Sequence, residues 1–251
     1  MFLISNFFSQ NAYANFISAG DQLTTSNYVI RAFDVSDQLS HPRDVTFNND
    51  GTKMFTVDNG TRKVFEYTLS TPYNISTAVF VNEFSVSSED TKPMKVKFNN
   101  DGSKMFIGGR SSKKVHEYSL STNFDISSAS VTYTGNFIDV SSQLGTEKLN
   151  GLTFSPDGKI MIITEQGFGL HQYSLNKSFD LSGGANFIRS AEVPTLLNGN
   201  THNGIAFNQS GTRLFMIDSQ RNAVNQYTLS EGFNIATASF DGGAMDPATD
   251  S

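Results

Sequence analysis

Along most of the chain, apolar and polar positions alternate in short runs parted by turn residues. Val45-Thr46-Phe47 alternates, and Asn48-Asn49-Asp50-Gly51 follows as a turn, with Gly supplying the positive φ that such a reversal needs. Met54 to Val57 is a second apolar run. Val64 to Leu69 places Phe65, Tyr67 and Leu69 on one face at the two-residue period of a strand. A fourth run lies around Val81 to Val86. No segment carries a convincing helical period.

This unit recurs at a period of about fifty residues. Its first landmark is Phe47-Asn48-Asn49-Asp50-Gly51, Phe98-Asn99-Asn100-Asp101-Gly102, Phe154-Ser155-Pro156-Asp157-Gly158 and Phe207-Asn208-Gln209-Ser210-Gly211. The second is the strand Val64–Leu69, repeated as Val115–Leu120, Leu170–Leu175 and Val224–Leu229. The third is Tyr73-Asn74-Ile75, Phe124-Asp125-Ile126, Phe179-Asp180-Leu181 and Phe233-Asn234-Ile235. Four-stranded units at this period are the signature of propeller blades, so the expected fold is all-β, a β-propeller of four blades of four antiparallel strands.

The ends of the repeat array suggest how it closes. The fourth copy runs out near Phe240, while Val29 to Val35 precedes the first copy and resembles a fourth strand: Phe33-Asp34-Val35-Ser36 echoes Phe84-Ser85-Val86-Ser87. The expectation is that residues 29–35 complete the last blade. The domain reading is an arm or signal-like segment at 1–28, a propeller at 29–240 and a tail at 241–251. Its blades fall near 42–86, 93–140, 149–193 and 202–240 plus 29–35. A larger array, or two chains sharing one eight-bladed ring, are the alternatives.

Phe154-Ser155-Pro156-Asp157-Gly158-Lys159 resembles the turn of bacterial propeller repeats, such as those of lactonase-like and TolB-like proteins. The stretch from Phe98 through Ile126 is similar to a bacterial and phage repeat with the pattern F-x-x-D-G-[TS]-K-M-[FY], V-x-[EQ]-Y-x-L-S and [FWY]-[DN]-[IV]-S-x-A. The resemblance covers most of the chain and implies the propeller fold. It is nearly silent on activity. The fourth copy departs from it with Ser210-Gly211 in place of Asp-Gly.

Composition narrows the function classes. Charged residues make up 17% of the chain and the net charge is −6, with no basic cluster beyond Arg110, Lys113 and Lys114. Nucleic-acid binding needs Lys and Arg in numbers, so no nucleic acid is expected as a partner. There are no cysteines, which excludes disulfides, thiolate metal sites and a Cys nucleophile. No apolar run reaches the length of a membrane-spanning helix. Met1 to Ala14 is mildly apolar and ends in Ala12-Tyr13-Ala14, a signal-like pattern without a basic start. An extracellular or periplasmic location is the expectation.

Propellers bind ligands where their first strands and loops converge on the axis. Aligning the copies on the first-strand Phe brings together positions that do not repeat: His41, Arg43, Asp44, Lys95, Asn150, His202 and Asn203. Varied polar side chains on a regular scaffold are what a binding site needs. The rival explanation is that they only solvate the channel. His116 and His171 occupy one equivalent strand position and read as inter-blade packing residues with one hydrogen bond each. Asp58 reads as a turn cap rather than a calcium ligand. Asp50, Asp101 and Asp157 follow the repeat beside Gly, as turn residues do.

No catalytic residue, metal ligand or G-x-S-x-G elbow stands out from the repeat. The expected cofactor set is none, with calcium or another divalent ion in the channel as the alternative. The leading function is a non-catalytic binding or interaction module, taking a small glycan, a peptide or a partner protein at the axial mouth or loop face. A lactonase-like or other hydrolytic propeller with a channel metal is the rival. A structural subunit of an envelope or virion assembly is the third reading.

Overall fold

In a computed structural model, the structure describes residues 32–167, 169–192, 202–218 and 223–241. Four antiparallel sheets of four strands are arranged in a ring as a four-bladed β-propeller. The first blade is β1 (Pro42–Phe47), β2 (Lys53–Asp58), β3 (Lys63–Leu69) and β4 (Ala78–Ser85). The second is β5 (Pro93–Phe98), β6 (Lys104–Gly109), β7 (Lys114–Leu120) and β8 (Val131–Asp139). The third is β9 (Leu149–Phe154), β10 (Ile160–Glu165), β11 (Gly169–Lys177) and β12 (Asp180–Glu192). The fourth is β13 (His202–Phe207), β14 (Arg213–Asp218), β15 (Ala223–Leu229) and β16 (Ala238–Phe240). One helical turn, α1 (Ser141–Leu144), links the second blade to the third.

Within each blade the strands pair in sequence order, because every connection is a short hairpin. The turn between the first two strands is built the same way each time. In the first blade the Asp50 carboxylate accepts from the Thr52 N–H at 2.9 Å, and Gly51 takes φ 72°. The third landmark then comes back over this turn. Tyr73, Phe124, Phe179 and Phe233 all adopt positive φ, uncommon for aromatic residues. Each donates its N–H to the turn glycine: Tyr73 to Gly51 O at 2.9 Å, Phe124 to Gly102 O at 2.9 Å, Phe179 to Gly158 O at 3.0 Å and Phe233 to Gly211 O at 3.0 Å. Their rings lie where a β-carbon on the glycine would be, so the glycine is needed twice over, for its φ and for its missing side chain.

Neighbouring blades meet through apolar faces. Phe55 of β2 packs on Phe98 of β5 with ring centroids 4.5 Å apart, and Phe98 packs on Phe124 at 5.4 Å. One seam on, Phe106 meets Phe154 at 4.8 Å, and Phe154 meets Phe179 at 5.7 Å. At the third seam Ile162 takes the inner place beside Phe207 and Phe233.

A polar latch accompanies each of these seams. The N–H of Ile126 donates to Glu66 Oε2 at 3.1 Å, that of Leu181 to Glu117 Oε2 at 2.7 Å, and that of Ile235 to Gln172 Oε1 at 3.4 Å. The acceptor always sits at the same position of a blade's third strand, and the donor always belongs to the next blade's third landmark. Lys53 reinforces the first latch, holding Glu66 at 2.7 Å and the Phe124 carbonyl at 2.6 Å.

Among the described residues, the last strand of the fourth blade is not the N-terminal segment that the sequence suggested. It is β16, from the blade's own repeat, pairing Tyr227↔Phe240, Thr228↔Ser239 and Leu229↔Ala238. The Asn234 side chain caps the short 3-10 turn Ile235–Thr237 and steers the chain back, as Asn74 does before Ile75–Thr77 in the first blade. Of the segment 29–35, residues 29–31 lie outside the described residues and 32–35 form no strand. Phe33 and Val35 instead pack on the first blade, Phe33 meeting the Tyr67 ring edge-on at 5.5 Å. Phe84 meets Tyr118 of the second blade in the same way, at 5.9 Å. The segment therefore holds the position of a preceding blade's last strand, which explains the likeness of Phe33-Asp34-Val35 to Phe84-Ser85-Val86.

Candidate functional site

The first strand of every blade lies nearest the axis, and β1, β5, β9 and β13 follow one another around it. Each ends in a core Phe, so the residue just before that Phe faces the opposite way, by strand alternation. Those residues are Thr46, Lys97, Thr153 and Ala206, and all four line one cavity. Asn49, Asn100, Pro156 and Gln209, the equivalent turn residues, rim it. The space it outlines, about 700 Å³, includes open solvent beyond the rim. Its wall mixes this polar set with the rings of Phe47, Phe98, Phe124 and Phe233.

The rim is braced from blade to blade. Asn49 Nδ2 donates to the Asn100 carbonyl, and Asn100 Nδ2 donates to the Pro156 carbonyl at 2.8 Å. Tyr73 donates its hydroxyl to the Asn49 carbonyl at 2.7 Å. These bonds use the amide nitrogens and leave the oxygens of Asn49 and Asn100 as acceptors toward a ligand.

The residues picked from the sequence lie at the other end of the first strands. Asp44 is buried between the first two blades, accepts from the Val96 N–H at 3.2 Å and faces Lys97 Nζ at 3.0 Å and Lys95 Nζ at 3.9 Å. Lys95 is fully buried, and that burial pushes its ammonium down to about 8. Asp44 opposes the shift, while Lys97 and Arg43 add to it. Arg43 is half-buried, with its Nε enclosed and lacking a hydrogen-bond partner. Asn150 is buried in β9. His41 is tied by its backbone N–H to the Asp58 carboxylate. The side chains of His202 and Asn203 lie outside the described structure. The fold thus brings Arg43, Asp44 and Lys95 together, and Lys97, which also lines the cavity, turns its ammonium back to Asp44 in the same cluster.

Lys97, Thr46, Thr153 and Gln209 were not among the sequence candidates. The signal was present: the residue before each first-strand Phe varies among Thr, Lys and Ala, while the Phe itself repeats. Asp58 caps its turn, accepting from the Thr61 N–H at 2.6 Å. The two histidines carry two contacts each rather than one. His116 meets Ser112 at 3.1 Å and Tyr133 at 3.3 Å, and His171 meets Ser190 at 2.8 Å and Glu165 at 3.1 Å. All of these partners lie within the histidine's own repeat, because the outer strand of the same blade covers the ring. Burial pushes the His116 imidazole below its usual range. Among the described residues no group of three or more His, Cys, Asp and Glu side chains is placed to hold a metal ion. Among them, too, no helix is long and apolar enough to cross a membrane.

Fold and channel together define a β-propeller. The chain is similar to a protein of Lactobacillus plantarum, with a TM-score of 0.56 at 14% identity over 80% of this chain and 54% of that one. It is similar to a propeller of Bacteroides uniformis provisionally named a 6-phosphogluconolactonase, with a TM-score of 0.54 at 14% identity over 82% and 55%. It is also similar to a periplasmic gluconolactonase of Pseudomonas aeruginosa, with a TM-score of 0.50 at 17% identity over 82% and 53%. The chain spans about half the length of these structures. At such identities the likeness is one of fold. No family model and no curated protein sequence matches the chain.

Proposed function

We propose that the chain is a binding module that takes a short glycan in the axial cavity. One observation carries this reading: four equivalent positions of a repeated scaffold, Thr46, Lys97, Thr153 and Ala206, carry three kinds of side chain and line one opening. Repetition serves the fold, and departure from it at the axis serves recognition. Hydroxyls and amide oxygens on the wall match sugar hydroxyls, and the Phe rings suit the apolar faces of a pyranose. We place the module outside the cytoplasm, in keeping with the signal-like pattern that ends in Ala12-Tyr13-Ala14.

The test is calorimetric titration of the full chain with neutral and uronate-containing oligosaccharides. Thr153→Phe, which fills the cavity, should weaken binding at least about tenfold while circular dichroism stays unchanged. Binding that survives the filled cavity would overturn the reading. A second reading, a lactone hydrolase, is favoured by the shared fold with a named gluconolactonase. Turnover of gluconolactone by the full chain, abolished by Thr153→Phe, would establish it instead.

A further inference from the structure

The third blade departs from the repeat at three positions that meet in space. Glu165 ends β10, where the other second strands end in Asp58, Gly109 and Asp218. His171 of β11 stands where β3 has Phe65 and β15 has Asn225. Ser190 of β12 lies opposite His171, whereas Glu83 lies opposite Phe65 and Phe137 opposite His116. The Ser190 hydroxyl is 2.8 Å from His171 Nδ1, and His171 Nε2 is 3.1 Å from Glu165 Oε2. A carboxylate only accepts, so Nε2 carries the hydrogen and Nδ1 offers its lone pair to the Ser190 hydroxyl. Packing an imidazole at this place needs no acid, because His116 is satisfied by the hydroxyls of Ser112 and Tyr133. Asp58 commits its carboxylate to its turn, accepting from the N–H groups of His41 and Thr61. Glu165, one carbon longer, turns to the imidazole instead.

Access and surroundings fit the chemistry of this series. Ser190 is exposed, while His171 is buried behind it. A bulge between Gln172 and Tyr173 sets Phe187 opposite Tyr173, on the face that carries Ser190. The Phe187 ring is 45% exposed and meets Tyr173 edge-on at 5.6 Å. β12 is the outer strand of its sheet, so alternate N–H groups point away from β11. We infer that Ser190, His171 and Glu165 form an esterolytic site on the third blade, acting on carboxylic esters that bear an aromatic or short apolar group. Ser190 Oγ attacks the ester carbonyl as His171 Nδ1 takes the hydroxyl proton. The outward N–H groups of β12 receive the oxyanion, and Phe187 carries the apolar group. The ester C–O bond breaks, and the alcohol leaves with the proton from His171. Water then attacks the acylated serine through the same base, releasing the acid and restoring the hydroxyl. Glu165 is a positioning residue that fixes the tautomer and faces the imidazolium. None of the three lines the axial cavity, and the inference stands apart from the glycan reading.

A fluorophosphonate probe and 4-nitrophenyl acetate test it on the full chain. The probe should add at Ser190, as located by peptide mass mapping, and the ester should turn over. Ser190→Ala trims an exposed hydroxyl, and His171→Asn uses the side chain that the fourth repeat carries at Asn225, so both variants should keep the parent's circular dichroism. Each should abolish labelling and cut turnover about a hundredfold or more. Glu165→Gln should lower kcat at unchanged KM. The absence of an adduct at Ser190, an adduct that survives His171→Asn, or turnover that survives Ser190→Ala would overturn the inference.

Discussion

The backbone N–H of Leu181 donates to Glu117 Oε2 at 2.7 Å across the seam between the second and third blades. The same carboxylate meets Lys104 at 3.3 Å, and its other oxygen accepts from Asn136 at 3.1 Å. One buried side chain thus ties its own hairpin, its own outer strand and the next blade.

Removing that acceptor leaves the Leu181 N–H buried and unsatisfied. Glu117→Ala should cost about 1–3 kcal/mol in urea unfolding. Glu117→Gln keeps an acceptor, the one Gln172 uses one blade on, and should cost clearly less. Equal losses for the two variants would show that charge, not the hydrogen bond, holds the seam.

Gly102 has φ 75° with the Phe124 ring over its missing side chain. Gly102→Ala should destabilise by about 1–3 kcal/mol from backbone strain alone, and by more from the collision with the ring. In the double variant with Phe124→Ala the collision is gone, so the combined loss should fall short of the sum of the single losses. Strictly additive losses in denaturant melts would refute the contact.

Lys95 offers a pH signature. Its folded value lies near 8, below the ordinary lysine range, mainly because it is buried. Between that value and the unfolded one the unfolded chain binds more protons, so stability should rise as pH climbs from about 8 to about 10.5. Lys95→Met should remove the rise while Lys97 still pairs Asp44. A variant that keeps the full rise would assign it to another group.

Asp50 and Asp101 sit below the usual carboxylate range because Thr52 and Ser103 donate to them. Their contribution is complete above the unfolded carboxylate value and disappears as pH falls through the lower folded values. Asp101→Asn should flatten the acid limb of the stability profile without moving the neutral plateau, as measured by thermal melts at stepped pH.

Strand order was legible because each blade is a local object. Its hairpins are set by turn glycines and its faces by alternation, both visible in Phe47-Asn48-Asn49-Asp50-Gly51 and Val64–Leu69. The source of the last strand was not legible. Ala238-Ser239-Phe240 is too short to show a period, and Phe33-Asp34-Val35 has the right pattern for a last strand without stating which blade it serves. The cavity was missed for a related reason. The polar variation near His41 and Arg43 is conspicuous, whereas Thr46, Lys97, Thr153 and Ala206 hide inside strands and declare themselves only when the copies are overlaid. The latch was invisible for another: Glu66, Glu117, Gln172 and Gln226 look like solvent-facing polar residues until the next blade covers them.

The rings of Tyr73, Phe124, Phe179 and Phe233 rest on glycines of their own repeats, so each repeat buckles its late loop to its opening turn before any neighbour arrives. A unit that fastens itself can be copied or deleted whole without leaving a torn end. Growth by duplication would then be tolerated one repeat at a time, and a grafted repeat from a relative should seat correctly provided ring and glycine travel together.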